Sequence, residues 1–241
     1  MSTLFGQDMS DQSEKHSIID DFAYGSNVAS SAVYVRMGFL RKVYGILSVQ
    51  LLFTTLVGAF FMMCEPVKEF VQNSQALLLV SAILSFVLIF ALMVKSRETP
   101  TNYILLALFT ICESFLVGTV VTFYKVQVVL EAFALTCAVT FALTTYALQS
   151  KRDFSSWGAG LFSVLWIVVM AGFMQIFFPS PMMDLGIAIA GAVLFSLFII
   201  YDTHMVMHKV SAEEYIHASI NLYLDIINLF LHILRILGDR K

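Results

Sequence analysis

Polar residues are sparse along this chain, and the gaps between them leave seven long apolar stretches. Phe39–Met63, Ala76–Val94, Tyr103–Phe123, Val128–Leu148, Trp157–Phe178, Leu185–Met207 and Ile216–Leu237 each approach the ~20 apolar residues a membrane-spanning helix needs. Pro100 follows the second stretch, and Pro179 and Pro181 close the fifth. The connections are short, so consecutive helices should pack as antiparallel neighbours. The last stretch differs from the others. His217, Asn221, Asp225, Asn228, His232 and Arg235 recur along it every three or four residues, which on a helix makes one polar stripe on an apolar cylinder. In a chain this apolar, the stripe is expected to face protein or a watery cavity. A carboxylate near the middle of a span costs about 2.5–3.5 kcal/mol on insertion scales, which makes Asp225 a functional candidate.

Composition places the chain in the same class. Of 241 residues, 59% are hydrophobic and 13% charged, where soluble domains carry about 25% charged residues. The expected fold is an all-α polytopic membrane protein with seven transmembrane helices. Residues 1–32 hold Asp8, Asp11, Glu14, Asp20 and Asp21 among Ser, Gly and Gln, and read as a mobile acidic tail ahead of one transmembrane domain, 33–241. The tail lacks a signal peptide's basic start and apolar run, so the first span is expected to act as the targeting signal. A net charge of -3 with no basic block gives no nucleic-acid signal. Cys64, Cys112 and Cys137 have no CxxC spacing and suggest neither zinc nor a disulfide framework.

Lys and Arg concentrate on the cytosolic side of membrane proteins. With the N-terminus cytosolic, that side receives Lys15, Arg36, Arg41, Lys42, Lys95, Arg97, Lys151, Arg152 and Lys209, and the opposite loops receive Lys68 and Lys125. The seventh stretch conflicts with the rule, because a full crossing puts Arg235, Arg240 and Lys241 outside. A re-entrant helix is the alternative; a full span is expected, because the stretch is long enough to cross a core of roughly 30 Å.

The intramembrane acids carry the chemistry. Asp202 lies near the end of the sixth stretch and Asp225 within the seventh, joined by the short turn His208–Glu214. From that turn the two sit at levels differing by roughly 6 Å, a gap that tilt and side-chain reach can close. Two carboxylates in contact at low dielectric cannot both ionise cheaply, so the pair should share a proton and act as a pH-dependent latch. Two separately paired acids, each fixing a helix, is the competing reading. Glu113 is a third buried acid, for an ion path or a helix contact. Glu131 sits at the outer interface. Ser211 and Glu214 fit a capping box, and Glu213 is a candidate for a cytosolic vestibule.

Phe198–His204 (FIIYDTH), Ser211–Gly238 and Val129–Thr145 resemble the transmembrane Bax-inhibitor-motif family. Tyr24–Tyr44 and Leu148–Phe162 are similar more narrowly to its Golgi anti-apoptotic, or lifeguard, branch. The resemblance runs collinearly from about Asp20 to the C-terminus. It implies a seven-helix bundle whose last helix is surrounded by the other six. It also implies a calcium leak in Golgi membranes, with the endoplasmic reticulum as a second location, and an anti-apoptotic effect. The family's paired-aspartate pH sensor maps onto Asp202 and Asp225. Some bacterial members add a glutamate in the second span and an arginine just after it that locks the aspartates. Here Ser85 stands near the glutamate's place, and Lys95 or Arg97 near the arginine's. Glu113 is our own candidate for the missing carboxylate.

The functional expectation is a Ca²⁺ leak channel rather than an enzyme. Carboxylate oxygens suit Ca²⁺, so Asp202 and Asp225 would ligate it transiently, with Glu113, Glu213, Asn221, Asn228 and His232 along the path. No cofactor is implied beyond Ca²⁺ as permeant ion. The expected partners are the lipid bilayer, Ca²⁺ and protons, with a homo-oligomer or membrane proteins of the calcium and apoptosis machinery as further candidates. A proton-coupled cation antiporter and a membrane adaptor acting through partners are the alternatives. An intramembrane aspartyl protease also pairs Tyr-Asp with a second Asp, and Tyr201-Asp202 fits. Its second aspartate follows Gly-x-Gly, whereas here the run is Leu222-Tyr223-Leu224-Asp225.

Overall fold

The computed structural model describes residues 33–238. The expected tail 1–32, Arg240 and Lys241 lie outside the described residues. The described chain forms α1 (Val33–Met63), α2 (Glu65–Asn73), α3 (Gln75–Lys95), α4 (Thr101–Val121), α5 (Val126–Gln149), a 3₁₀ turn (Ser155–Trp157), α6 (Gly158–Phe177), α7 (Pro181–His208) and α8 (Tyr215–Leu237). All but α2 and the turn are long and apolar enough to cross a bilayer. The protein is an all-α polytopic membrane protein. Its outer helices expose large apolar side chains such as Ile83, Phe86 and Phe90 on α3 and Trp166, Ile167 and Ile176 on α6, which lipid accepts and water would not.

Helix α8 sits centrally. It packs against α7 over its whole length and also against α1, α5 and α4. The expectation of six surrounding helices is corrected here: α3 rests mainly on α4, and α6 on α7. The reason is their surface. α3 and α6 are apolar all round and lose nothing in lipid, so only 17% and 6% of their most apolar windows are buried, against 50% for α4 and α8.

Three boundaries depart from the apolar pattern. Helix α1 begins six residues before Phe39 and takes Arg36, Arg41 and Lys42 into its first turns. Lys42 lies 3.3 Å from the centroid of the Tyr215 ring, tying the start of α1 to that of α8. Pro181 opens α7 instead of only ending α6, because proline fits the first helical turn. Between the first two spans, α2 replaces an expected loop. Its Val67, Phe70 and Val71 follow helical spacing, Val71 is buried, and Gln72 Nε2 donates to the Thr122 carbonyl at 3.0 Å.

The antiparallel order gathers the Lys/Arg-rich loops at one end. There Arg97 after α3 meets Glu214 before α8, and Asp153 between α5 and α6 approaches His204 on α7. At the other end α2 and Thr122 meet, and the Tyr124 ring lies against Gly238.

Candidate functional site

Asp202 and Asp225 face each other across the α7–α8 seam, close enough for their carboxyl groups to interact. The backbone direction of the two helices explains how a difference in level closes. A helical Cα–Cβ bond tilts toward its own N-terminus. Asp202, nearer the α7–α8 turn, therefore leans away from it, and Asp225, farther along an antiparallel helix, leans back toward it. Asp225 is 5% exposed, and no donor group reaches its Oδ2. Two carboxyls facing each other without an N–H or O–H donor stay together when a proton lies between them.

Above the pair, toward the turn, lies a cavity of about 220 Å³ lined by Tyr201, Asp202, Glu214, His217 and Asn221 with apolar neighbours. It has room for several waters and polar groups to hold them. Arg97 lies 3.0 Å from the lining residue Glu214 and 3.9 Å from Glu213. This corrects the expected latch. Arg97 engages the two glutamates rather than the aspartates, and Lys95 pairs with Glu98 at 2.6 Å. Residue 97 lies beyond the end of α3, level with the turn, while the aspartates sit about 9 and 15 Å deeper along their helices. The capping box is also absent. Glu214 itself occupies the N-cap position, its N–H bonds the Ser211 carbonyl at 3.1 Å, and the Ser211 hydroxyl has no partner.

The lower half of the stripe is a packing seam, not a lined path. Asn228 Nδ2 donates to the Leu224 carbonyl at 2.8 Å on its own helix. His232 stacks on Phe195 at 5.6 Å and fills the space beside Gly191. Arg235 Nε donates to Asp184 Oδ1 at 2.9 Å, joining the last turn of α8 to the first of α7. Asn228 and His232 therefore do not line the cavity, which ends at Asn221 and Asp202. Helix α8 continues unbroken through Leu222-Tyr223-Leu224-Asp225, so its backbone there is bonded within the helix.

The family model described as inhibitor of apoptosis-promoting Bax1 matches residues 36–241. The chain belongs to that family. Protein lifeguard 4 of Mus musculus is 55% identical over 223 residues, covering 92% of this chain and 94% of its own. The Golgi anti-apoptotic protein of Vaccinia virus (strain Lister) is 54% identical over 92% of this chain and 93% of its own. Bax inhibitor 1 of Schizosaccharomyces pombe is 41% identical over 91% of this chain and 83% of its own.

In this member of the Bax1-inhibitor family, Glu113 is held apart from the aspartates. It accepts a hydrogen bond from Ser85 across the α3–α4 contact. Beside it runs a buried network the sequence reading missed. The Tyr223 and Thr54 hydroxyls are 2.8 Å apart, Thr54 and Ser114 are 2.9 Å apart, and Gln50 donates to Thr110 at 3.0 Å. The signal was present as two polar pairs at helical spacing, Gln50 with Thr54 and Thr110 with Ser114. Among the described residues no three His, Cys, Asp or Glu side chains gather as a metal site. Glu113 thus does not complete a three-carboxylate cluster.

Proposed function

We propose that this protein is a proton-gated leak pathway for Ca²⁺ in intracellular membranes, and that lowering stored Ca²⁺ gives it an anti-apoptotic effect. The names of the relatives support the location and the effect: one is called Golgi anti-apoptotic protein, another Bax inhibitor 1. The Golgi membrane is the primary site and the endoplasmic reticulum the second, with the N-terminus facing the cytosol.

The observation that carries the ion-path reading is an aspartate pair of which one member, Asp202, lines a cavity together with Glu214, His217 and Asn221. With the proton in place, the pair bridges α7 and α8 and the cavity stops there. Without it, two charges about 4 Å apart repel by roughly 4 kcal/mol at an effective dielectric of about 20. Either the helices separate or a cation enters to screen the charge. Proton and Ca²⁺ then compete for one place, which makes flux depend on pH. Two carboxylates supplemented by Asn221 and water bind Ca²⁺ weakly, and weak binding suits passage better than storage.

Purified protein in liposomes tests this directly. Ca²⁺ should move down its own gradient with no opposing proton gradient. Flux that requires a proton gradient identifies an antiporter, and no flux at any pH identifies an adaptor.

A further inference from the structure

A second cavity, of about 400 Å³, lies at the Lys/Arg-rich end between the close of α5, the loop to α6 and the close of α7. Lys151, Arg152, Asp153, His204, His208 and Lys209 line it. Nothing in the aspartate site uses these residues. Lys68, Lys95, Arg97 and Arg235 each pair with a carboxylate. Lys151, Arg152 and Lys209 form no such ion pair among the described residues. One carboxylate opposes them. Asp153 accepts from the Ser155 N–H at 2.9 Å; the Ser155 side chain first, and then this N–H, hold its carboxyl below the usual range, and its Oδ1 is 3.8 Å from His204 Nε2. Three permanent cations thus face one carboxylate already engaged by its neighbours.

The attraction of a helix C-terminus for cations accounts for a basic residue at the ends of α5 and α7. It does not account for a cavity with an imidazole at its floor. His204 is 4% exposed, its Nδ1 has no partner, and its ring lies against His208 at 4.5 Å and edge-on to Phe154 at 5.5 Å. The rim is amphipathic. Phe154 is buried, while Tyr146 and Trp157, packed on either side of it, are 48% and 38% exposed. Exposed Tyr and Trp of this kind belong to the headgroup level of a bilayer.

We propose that this cavity binds a phosphate monoester, and that its occupant is the phosphorylated headgroup of a membrane phospholipid. Lys151, Arg152 and Lys209 contact the phosphate oxygens, the imidazoles form the floor, and the acyl chains lie beside Tyr146, Leu148 and Trp157. Basic pockets between spans at a membrane surface recognise such headgroups by charge. Lys and Arg exclude a metal cation, and the apolar rim favours a lipid over a soluble anion.

The test uses full-length protein in detergent and native mass spectrometry with dioctanoyl phosphatidylinositol 4-phosphate. Dioctanoyl phosphatidylcholine and free inositol 1,4-bisphosphate are the comparison probes. The phosphorylated lipid should bind most tightly. Lys151→Gln, Arg152→Gln and Lys209→Gln together should weaken it roughly hundredfold, and Lys209→Gln alone about fivefold. Arg41→Gln with Lys95→Gln removes two charges at the same end and should leave binding nearly unchanged. Equal loss in that control, or no preference over phosphatidylcholine, overturns the site. Inositol bisphosphate binding as tightly as the lipid overturns the lipid assignment and leaves a soluble phosphate as the occupant. Thermal midpoints of all variants check folding, and the single exposed Lys209 substitution keeps the test decisive if the triple one fails to fold.

Discussion

Arg97 donates to Glu214, a residue lining the cavity beside Asp202, in a contact between residues 117 positions apart in the chain. It joins the loop after α3, an outer helix, to the start of the central one. Both side chains are largely exposed, 62% and 40%, so the pair contributes only about 0–1 kcal/mol to stability. Its consequence is access, not strength. Arg97→Ala should leave the thermal midpoint nearly unchanged. The same change should raise several-fold the rate at which a cysteine at Asn221→Cys reacts with a polar thiol reagent, in a background lacking the three native cysteines. Unchanged labelling would show that Arg97 does not cover the cavity.

The aspartates titrate as one unit if they share a proton, so either charge is needed for the pH response. Asp202→Asn and Asp225→Asn should each flatten the pH dependence of Ca²⁺ flux in liposomes. The double variant should be little flatter than either single one, because the two sites are in contact and their effects do not add. Retention of the wild-type midpoint and steepness in both single variants would remove the pair as the sensor.

Glu113 lies against Ser85 and not against the pair. Glu113→Gln should therefore leave the pH midpoint of flux where it is, whatever it does to amplitude. A shifted midpoint would mean that the carboxylate acts on the aspartates through the Thr54–Tyr223 network. Glutamine retains an acceptor for the Ser85 hydroxyl, so loss of folding is not expected.

Gly191 allows the close approach of His232. A Cβ built there would meet the imidazole ring at 2.2–2.5 Å. In an exposed helix Gly→Ala gains about 1 kcal/mol, but overpacking a fitted contact costs about 1–3 kcal/mol. The net effect of Gly191→Ala should be destabilising, read as a lower thermal midpoint. Adding His232→Ala should recover part of the loss. A Gly191→Ala variant more stable than the parent would show that the ring moves aside freely.

The count of spans, their order and the nearness of Asp202 to Asp225 were readable in the sequence. Each depends on a local quantity: apolar length, helical period, and a turn too short to let two helices part. The rest depended on which way each helix faces and how deep its neighbours stand. Arg97 was expected at the aspartates and instead meets Glu214 and Glu213, because its height is set by where α3 ends. Asn228 and His232 share a face with Asp225, but Asn228 bonds back to its own helix and His232 stacks against α7. Pro181 follows an apolar stretch as a terminator would, yet it starts α7, bringing Asp184 into the turn that meets Arg235. The Gln50–Thr110 and Thr54–Tyr223 contacts join residues 60 and 169 positions apart, and no local pattern names such partners. Hydrophobicity sums along the chain and so can be read from it. The partner of a buried polar group is chosen by helix rotation and register, and only lateral packing of the bundle decides those.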